Sequence, residues 1–551
     1  MLHKLFDAAY FLFKNEIAHT TNWQALLTLL GQTDFSGRIQ SFLSTRPRNA
    51  TYQSTTAISD ILQSLSVALD TQLTSRLQMS VEKLGMFALM SDEETNIKNE
   101  QVLSTCVRYL SCESQSVVEQ FVAVSSLQNA TAETVTAAIG DVCRSRSIDM
   151  TKIVALSFDG ASNMSGQRGG VQALLKDRYC PRAVFIHCRS HRLQLALKNA
   201  ANKNKTVKGI LATLGSFYKL FSQSPKNLRQ LHAIEESLEL PKLKAIEPSP
   251  TRWLGYEQCV KRMLEIYPAV IATLEHLYVD SCDLSATAGG LLLTLRKQST
   301  IFLLTVLDDW LRALARLSRM FQTACEDLSP AITVTQTTIS HIEEFDFQVA
   351  VDKCAAVVEA CTSKGLHIEL DSLSDRGPLN AFRDAVVRDL RCRFSDDTAR
   401  FLVVYKMFSR SAPDSTFTAR YVQSVVANAP VDISAADVTD ELQIFRRWVG
   451  SAANNTPNQI MRELAFGPQA MLFPAIAKLA VAYLLLPLWT ATVERSFSTL
   501  NRIACAERSS LNADHQDCLM RISAEGPDTL SPELLDSAIN EWCKTARRLK
   551  D

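Results

Sequence analysis

The sequence lacks the features that mark secreted, membrane or disulfide-stabilised proteins. Its fourteen cysteines are scattered without a C-x-x-C pair, which predicts reduced thiols in a cytosolic or nuclear protein. The first sixteen residues mix Lys, Asp and Glu with apolar residues, a pattern typical of an amphipathic helix and not of a signal peptide. The longest apolar run, near 480–489, is shorter than the ~20 residues that span a bilayer. We therefore expect a soluble protein of the nucleus or cytoplasm, with no membrane partner.

The chain also lacks a net charge, an internal repeat and a low-complexity tail. Lys plus Arg and Asp plus Glu both number 58, so a nucleic-acid partner has to be argued from a local patch. The hydrophobic fraction of 46% and the charged fraction of 21% are those of a folded globular protein. Because a single core stops growing at roughly 250–300 residues, the 551 residues predict two or three domains.

The order of the predicted elements is that of an RNase H-like fold. Residues 1–80 show helical spacing of their apolar positions. A short apolar run, a loosely alternating segment and a Val- and Phe-rich segment follow as a predicted meander. These strands are predicted at 86–90, 102–110 and 117–127. Helix, strand, helix, strand and helix are then predicted at 132–144, 153–158, 169–176, 183–186 and 190–201. A meander followed by alternating elements predicts an α/β RNase H-like core with a five-stranded mixed sheet.

The remaining sequence is almost wholly helical. A large all-α insertion domain is therefore predicted to interrupt the core, and the protein is predicted to be mainly helical overall. One apolar stripe runs through Leu307, Trp310, Leu311, Leu314, Leu317 and Phe321. The predicted domains are an N-terminal helical region (1–80), the first part of the core (81–207), the insertion (208–466), a segment completing the core (467–524) and a C-terminal helix (525–551).

Two aspartates follow buried strands of the predicted sheet. Asp92 follows the first strand and Asp159 the fourth. Mg²⁺ prefers carboxylate oxygens, and two such ions can promote in-line phosphoryl displacement. A turn or a helix cap explains each aspartate equally well when it is taken alone.

Five groups of residues, in order along nearly the whole chain, resemble the DNA transposases of the hAT superfamily and their domesticated relatives. They are DEETN at 92–96, SFDGASNMSG at 157–166 with GGV at 169–171, IHCRSHRL at 186–193, TRW at 251–253, and ATVERSFS at 491–498 with RSSL at 508–511. The N-terminal part is similar to the variant found beside zinc-finger MYM-type proteins. Asn96 departs from many relatives, which have a second Asp there, although that position is not a metal ligand in the family.

The resemblance implies a metal-dependent site of three carboxylates. Asp92, Asp159 and Glu494 match the family's Asp/Asp/Glu set, which would hold Mg²⁺ or Mn²⁺ and cut or transfer a DNA strand. Glu494 is predicted on a helix that buries Val493, Phe497 and Leu500.

The resemblance also implies residues near DNA and a self-association segment. Cys188 and His191, beside Arg192, match a Cys-x-x-His element near the site. Arg252 and Trp253 match the motif whose tryptophan stacks on DNA, and 467–524 resembles the family's dimerisation region. A zinc pair remains an alternative for Cys188 and His191, although no second pair lies at zinc-finger spacing. A phosphatase loop does not fit, because Gln194 stands where its arginine would be, and Trp253 could equally be a core residue.

A basic stretch does not depend on the resemblance. Between Arg178 and Arg229 eleven basic residues occur without one Asp or Glu, and Lys203, Lys205 and Lys208 are the densest group. Because the stretch follows Asp159 in sequence, a phosphate backbone at that site would meet it. A solvated helix face paired with acids from elsewhere is the alternative.

Two functions therefore stay open. The first is a hAT-type transposase or transposase-derived enzyme that binds DNA, forms dimers and uses Mg²⁺ or Mn²⁺. The second is a domesticated, catalytically silent dimerising scaffold that binds DNA or chromatin. The family's transposases usually begin with a zinc-finger module, and no Cys/His cluster precedes Cys106 here, which favours the second. The intact carboxylate set favours the first.

Overall fold

The structure is a computed structural model that describes residues 1–34, 37–45, 52–248, 255–280, 285–322, 328–451, 456–487, 490–505 and 511–545. The chain divides into two compact units. Unit 1 consists of residues 1–188 and 400–551, and unit 2 of residues 189–399. The predicted insertion (208–466) lies later in the sequence than unit 2 at both edges. The division into two compact units does not show whether each predicted domain folds by itself, so the predicted domain boundaries stay a prediction.

Five strands form one mixed sheet in unit 1. They are β1 (Phe87–Thr95), β2 (Gln101–Ser111), β3 (Ser116–Leu127), β4 (Ile153–Phe158) and β5 (Val184–His187). The order across the sheet is β3-β2-β1-β4-β5. The β3-β2 and β2-β1 pairs are antiparallel, whereas β1-β4 and β4-β5 are parallel. The predicted fold class, an RNase H-like α/β core in a mainly helical protein, is confirmed.

Helices make up most of the remaining chain. In chain order they are α1 (Leu2–Lys14), α2 (His19–Thr33), α3 (Arg38–Thr45), α4 (Thr55–Leu84), α5 (Ala132–Ser145), α6 (Ser162–Ser165), α7 (Val171–Arg178), α8 (Arg189–Lys203), α9 (Lys205–Ser222), α10 (Pro225–Ser237), α11 (Gly255–Glu265), α12 (Tyr267–Asp280), α13 (Ser285–Leu295), α14 (Gln298–Gln322), α15 (Leu328–Glu343), α16 (Phe347–Thr362), α17 (Gly377–Phe408), α18 (Ala419–Asn428), α19 (Ala435–Ser451), α20 (Pro457–Phe466), α21 (Gln469–Leu472), α22 (Pro474–Leu484), α23 (Ala491–Ile503), α24 (Ala513–Glu525) and α25 (Pro532–Cys543). Within the described ranges, none of them has both the length and the apolar character that crossing a membrane requires.

Local sequence signals explain where several helices begin and end. The Thr131 side chain accepts from the backbone N–H of Thr134 and caps α5. Ser54 caps α4 in the same way through the N–H of Ala57. The helix ends at Gly85, whose φ of 79° lies in the left-handed region that glycine adopts without steric cost.

The sheet of unit 1 is covered on both faces. On one face Met90, Val102 and Cys106 join a core with apolar residues of α1, α4, α23 and α24. On the other face Leu89, Leu103 and other strand residues pack with α5 and α7. Alternate residues of β1 and β2 therefore belong to different cores, as the two-residue period of a strand requires.

Helix α24 covers the outer edge of the sheet, where no strand among the described residues lies beyond β3. Asp517 and Glu525 accept from the backbone N–H groups of Val124 and Phe121, at 2.9 and 2.7 Å. Between them, Arg521 donates to the carbonyl of Val122 at 3.2 Å. These three side chains are four residues apart and share one helix face. They occupy backbone groups that an exposed edge would offer to another chain.

Unit 2 has its own apolar core, built from residues of α8 to α17. The predicted stripe on α14 is buried at all six positions, from Leu307 to Phe321. The prediction of a separate core for this helical part is therefore consistent with the packing within unit 2.

Candidate carboxylate site on the sheet

Asp92 lies in a hairpin, and not at the end of its strand as the sequence analysis expected. The buried part of β1 ends at Ser91, but the strand continues to Thr95 because residues 92–95 pair with residues 101–104 of β2. The apolar pattern of the sequence predicted only the buried half of β1 and did not predict its polar half. Asp92 is half-buried there and lies opposite Ser104.

Asp159 follows β4 directly and corresponds in register to Asp92. In the parallel β1-β4 pair, Met90 lies opposite Ser157, and each aspartate stands two residues farther along its own strand. Asp159 is half-buried, and its Oδ1 accepts from the N–H of Ala161 at 3.2 Å. Neighbouring parallel strands therefore carry the two carboxylates at equivalent positions.

Helix α23 brings Glu494 to the same face of the sheet. As predicted, Val493, Phe497 and Leu500 are buried, and they join the core that contains Met90. A hydrogen bond of 2.6 Å joins the Oγ atoms of Ser496 and Ser104, and Ser104 is the residue opposite Asp92.

A second set of contacts fixes the start of α23. The Thr492 hydroxyl donates to Glu119 of β3, and Glu119 also accepts from Arg108 of β2 at 2.6 Å. Arg108 donates in addition to the carbonyl of Leu484, at the end of α22. Helix α23, which carries Glu494 in its first turn, is thus hydrogen-bonded to β3 through Thr492 and to β2 through Ser496.

The electrostatics of Asp92 connect the three predicted carboxylates. Burial is the main cause that raises the pKa of Asp92 well above its usual value, and the charges of Asp159 and Glu494 raise it further. The N–H of Glu93, which donates to Asp92 at 2.9 Å, lowers this pKa. In the part of the chain that the structure describes, no three His, Cys, Asp or Glu side chains lie at metal-binding spacing. The three carboxylates therefore interact at electrostatic range, and metal binding stays a prediction.

The Ser157 hydroxyl indicates that the surroundings of Asp159 suit a hydrated cation. Its hydroxyl is fully buried, has no hydrogen-bond partner among the described residues, and lies on the strand face of Asp159 two residues before it. A buried hydroxyl without a partner is costly unless water or a ligand satisfies it. The carboxylates and this hydroxyl are oxygen donors, which Mg²⁺ and Mn²⁺ prefer, so the residues present fit such an ion.

Glu93 and Asn163 also belong to the site, although neither was among the predicted site residues. The Asn163 amide donates to both carboxylate oxygens of Glu93, at 3.1 and 3.3 Å, and to the carbonyl of Ala130 at 2.9 Å. Burial and the charge of Asp159 raise the pKa of Glu93, which the Asn163 hydrogen bond lowers. Asn163 therefore ties the loop after Asp159 to β1. Asn163 belongs to the 157–166 motif, which was a signal for a role in the site, but the motif alone did not show that Glu93 is its hydrogen-bond partner.

The predicted DNA-contacting residues have varied surroundings. Cys188 is buried, and its N–H donates to the carbonyl of Phe158, the residue before Asp159. In unit 2, His191 is half-buried, and Arg192 donates to the carbonyl of Arg393. Arg252 and Trp253 lie outside the described residues, as does the 508–510 part of the last motif.

The basic stretch contains both engaged arginines and exposed lysines. Arg178 contacts Glu133 at 2.7 and 2.8 Å, and Arg182 pairs with Asp432 at 3.0 Å. Arg189 is buried, with its guanidinium 5.8 Å from the ring centre of Phe394. The exposed lysines are Lys198, Lys203, Lys205, Lys208, Lys219 and Lys226, all in unit 2. Acid pairing therefore describes Arg178 and Arg182 of unit 1, and the exposed basic side chains of the stretch in unit 2 are these lysines and Arg229.

These observations define the class of the protein: a mainly helical protein with an RNase H-like sheet that bears grouped carboxylates. The family described as "ZMYM1/FAM200, RNase-like domain" matches residues 14–170, which is less than a third of the chain. The matched segment contains Asp92 and Asp159 but not Glu494. The match supports a transposase-derived, RNase-like protein, and the finer hAT assignment stays a prediction.

Proposed function

We propose that this is a transposase-derived protein of the hAT type, in which Asp92, Asp159 and Glu494 hold Mg²⁺ or Mn²⁺ for cleavage or transfer of a DNA strand. The observation that carries the proposal is the sheet register, which gives Asp92 and Asp159 equivalent positions on neighbouring parallel strands, while the Ser104–Ser496 hydrogen bond holds α23 beside Asp92. The charges of Asp159 and Glu494, which lie 67 and 402 residues farther along the chain, both contribute to raising the pKa of Asp92. Three carboxylates brought together at such sequence distances favour a common ligand.

The chain's own groups have distinct parts in this chemistry. The paired strands hold Asp92 and Asp159 rigidly, and the bonds from Thr492 and Ser496 orient the first turn of α23, which carries Glu494. Without a cation, the like charges favour proton uptake by Asp92, so cation binding and protonation compete. A bound divalent ion would activate a water and stabilise the leaving oxygen of a phosphodiester.

Thermal unfolding with and without Mn²⁺ tests the proposal. We expect Mn²⁺ to stabilise the wild type by about 2.7 kcal/mol at one hundred times its dissociation constant. The gain should be lost in Asp159→Asn, which keeps the shape of the side chain but removes its charge. Asp141→Asn is the matched control, because Asp141 is exposed on α5 and pairs with Arg144. It should keep the full gain.

A wild type that Mn²⁺ does not stabilise, or a gain that survives in Asp159→Asn, would contradict the metal site. The protein would then fit the second function, a catalytically silent scaffold that binds DNA or chromatin. If the shift is present, cleavage of a supercoiled plasmid in Mn²⁺, compared between wild type and Glu494→Gln, separates an active enzyme from a metal-binding scaffold.

A further inference from the structure

A cleft lies in unit 1 where β1 and β4 begin, at the opposite end of these strands from Asp92 and Asp159. Its volume is about 420 Å³, within the size range of small-molecule sites. The end of α4, the residues before β5, the loop before α19 and one residue of α22 complete its lining. None of the carboxylates of the proposed metal site lines it.

Positive charge predominates around this cleft. Lys152, Arg182 and Lys478 line it, and among the residues that the structure describes Asp432 is the acidic one in the lining. The Asp432 carboxylate accepts from Arg182 at 3.0 Å, and its backbone carbonyl accepts from Lys478 at 3.3 Å. Asp432 thus contacts both the Arg182 guanidinium and the Lys478 ammonium at one rim of the cleft. Asp149 lies near Lys152, but it does not line the cleft, and its carboxylate accepts from the N–H and hydroxyl of Thr151.

The contacts among these groups leave them able to bind an anion. The Arg182 and Asp432 side chains are 54% and 85% exposed, and an ion pair so exposed contributes little to stability. A competing anion can therefore replace Asp432 as the partner of the Arg182 guanidinium at a small cost in free energy. Apolar side chains of Met86 and Val431 form part of the walls, which gives the uncharged part of an organic ligand a surface to contact.

We propose that this cleft binds a phosphate ester through Lys152, Arg182 and Lys478. Arginine supplies a planar pair of donors to phosphate oxygens, and the two lysines add compact charges. The ester belongs either to a mononucleotide or to the backbone of a DNA strand, which share this chemistry. The site is separate from the carboxylates, so it can exist whether or not they bind metal.

Binding measurements on the full chain test this site. Deoxyadenosine monophosphate and deoxyadenosine are titrated by calorimetry, and a short labelled DNA duplex by fluorescence anisotropy, at low salt. The double variant Lys152→Ala/Lys478→Ala should weaken binding of the phosphate-bearing ligand at least about tenfold. Lys406→Ala is the matched control, because Lys406 is an exposed lysine of unit 1 outside the cleft, and it should change nothing.

The outcomes separate the two sources. Weaker binding of the monophosphate, with deoxyadenosine unbound, supports a mononucleotide. Weaker binding of the duplex alone supports a backbone phosphate. If neither ligand binds more weakly to the double variant than to the control, or if deoxyadenosine binds as well as its monophosphate, the proposal is overturned. The titrations contain no divalent ion, so failure of this site is distinguishable from failure of the metal site, which the Mn²⁺ experiment tests separately.

Discussion

At the scale of single residues, the acidic side chain with the clearest role outside the candidate site is Glu525. Burial raises its pKa from 4.5 to about 7, although the N–H of Phe121 and the charges of Lys14 and Arg521 lower it. The Lys14 ammonium in turn donates to the carbonyls of Ser523 and Gly526. A carboxyl that closes the edge of the sheet thus titrates near neutral pH.

This raised pKa makes the stability of the fold depend on pH. The folded state keeps the Glu525 proton up to about pH 7, whereas the unfolded chain releases it near 4.5. The free energy of unfolding should therefore fall as pH rises through this window, by roughly 3 kcal/mol at most for this group. Glu525→Gln removes the titration and keeps an oxygen that can accept from Phe121.

Urea unfolding of wild type and Glu525→Gln at several pH values between 4.5 and 7.5 measures this difference. The wild type should lose stability relative to the variant as pH rises. Parallel pH profiles for the two proteins would show that Glu525 titrates at its ordinary value in the folded state.

At the scale of elements, α9 presents a line of positive charge. Lys205, Lys208 and Lys219 lie within about 60° of one another around the helix axis at 3.6 residues per turn, and all are exposed. Lys203, at the end of α8, precedes them. Lysines on one face suit a phosphate backbone, and we expect DNA binding without sequence preference.

Changing Lys203, Lys205 and Lys208 to Glu should weaken binding to all duplexes alike. The slope of log affinity against log salt should also become shallower, by about 0.9 for each phosphate that the protein no longer neutralises. The control carries the same charge change at Lys242, Lys261 and Lys364, exposed lysines elsewhere in unit 2. Equal weakening in both triple variants would attribute the effect to total charge and exclude a specific face.

The elements also show which parts of the molecule sequence patterns can predict. Apolar runs located β4 at 153–158 as observed, and the spacing of Val493, Phe497 and Leu500 predicted the buried face of α23. The polar end of β1 was missed, because backbone pairing with β2 stabilises it instead of apolar burial.

Contacts between distant segments were also missed. The hydrogen bond between the Ser104 and Ser496 hydroxyls joins residues 392 positions apart, and neither serine alone carries a local signal. The family motifs predicted Asp92, Asp159 and Glu494, but the chain's periodicity could not have predicted their shared electrostatics.

At the scale of the whole molecule, the family resemblance and the apolar residues between Leu472 and Trp489 together predict self-association through 467–524. In the structure, α22 is buried within unit 1, where it packs with α19 and α20. The apolar residues of α22 are therefore explained by the core of unit 1 and do not by themselves indicate an interface. Trp489 lies outside the described residues. Met471 and Leu472 remain 88% and 71% exposed, next to an aromatic group of Phe473, Phe445 and Trp448. Any interface in this segment should therefore involve α21.

Light scattering of the full chain at micromolar concentration measures this association. We expect a dimer or larger assembly for the wild type and a monomer for Met471→Lys/Leu472→Lys, because two charges oppose burial of the exposed apolar surface. Met79→Lys, at another exposed methionine of unit 1, should leave the assembly unchanged. A monomeric wild type would exclude self-association under these conditions.

The position of α24 at the edge of the sheet has a consequence for how the protein is made. Glu525 is 404 residues beyond Phe121, the residue whose N–H it accepts. At about 5–20 residues per second, a ribosome needs roughly 20–80 s to synthesise that stretch. During this time β3 can form on the nascent chain while its outer edge still lacks its cover. Protection against pairing with neighbouring chains then falls to chaperones, so premature termination before α24 should yield aggregation-prone protein even if the sheet itself is complete.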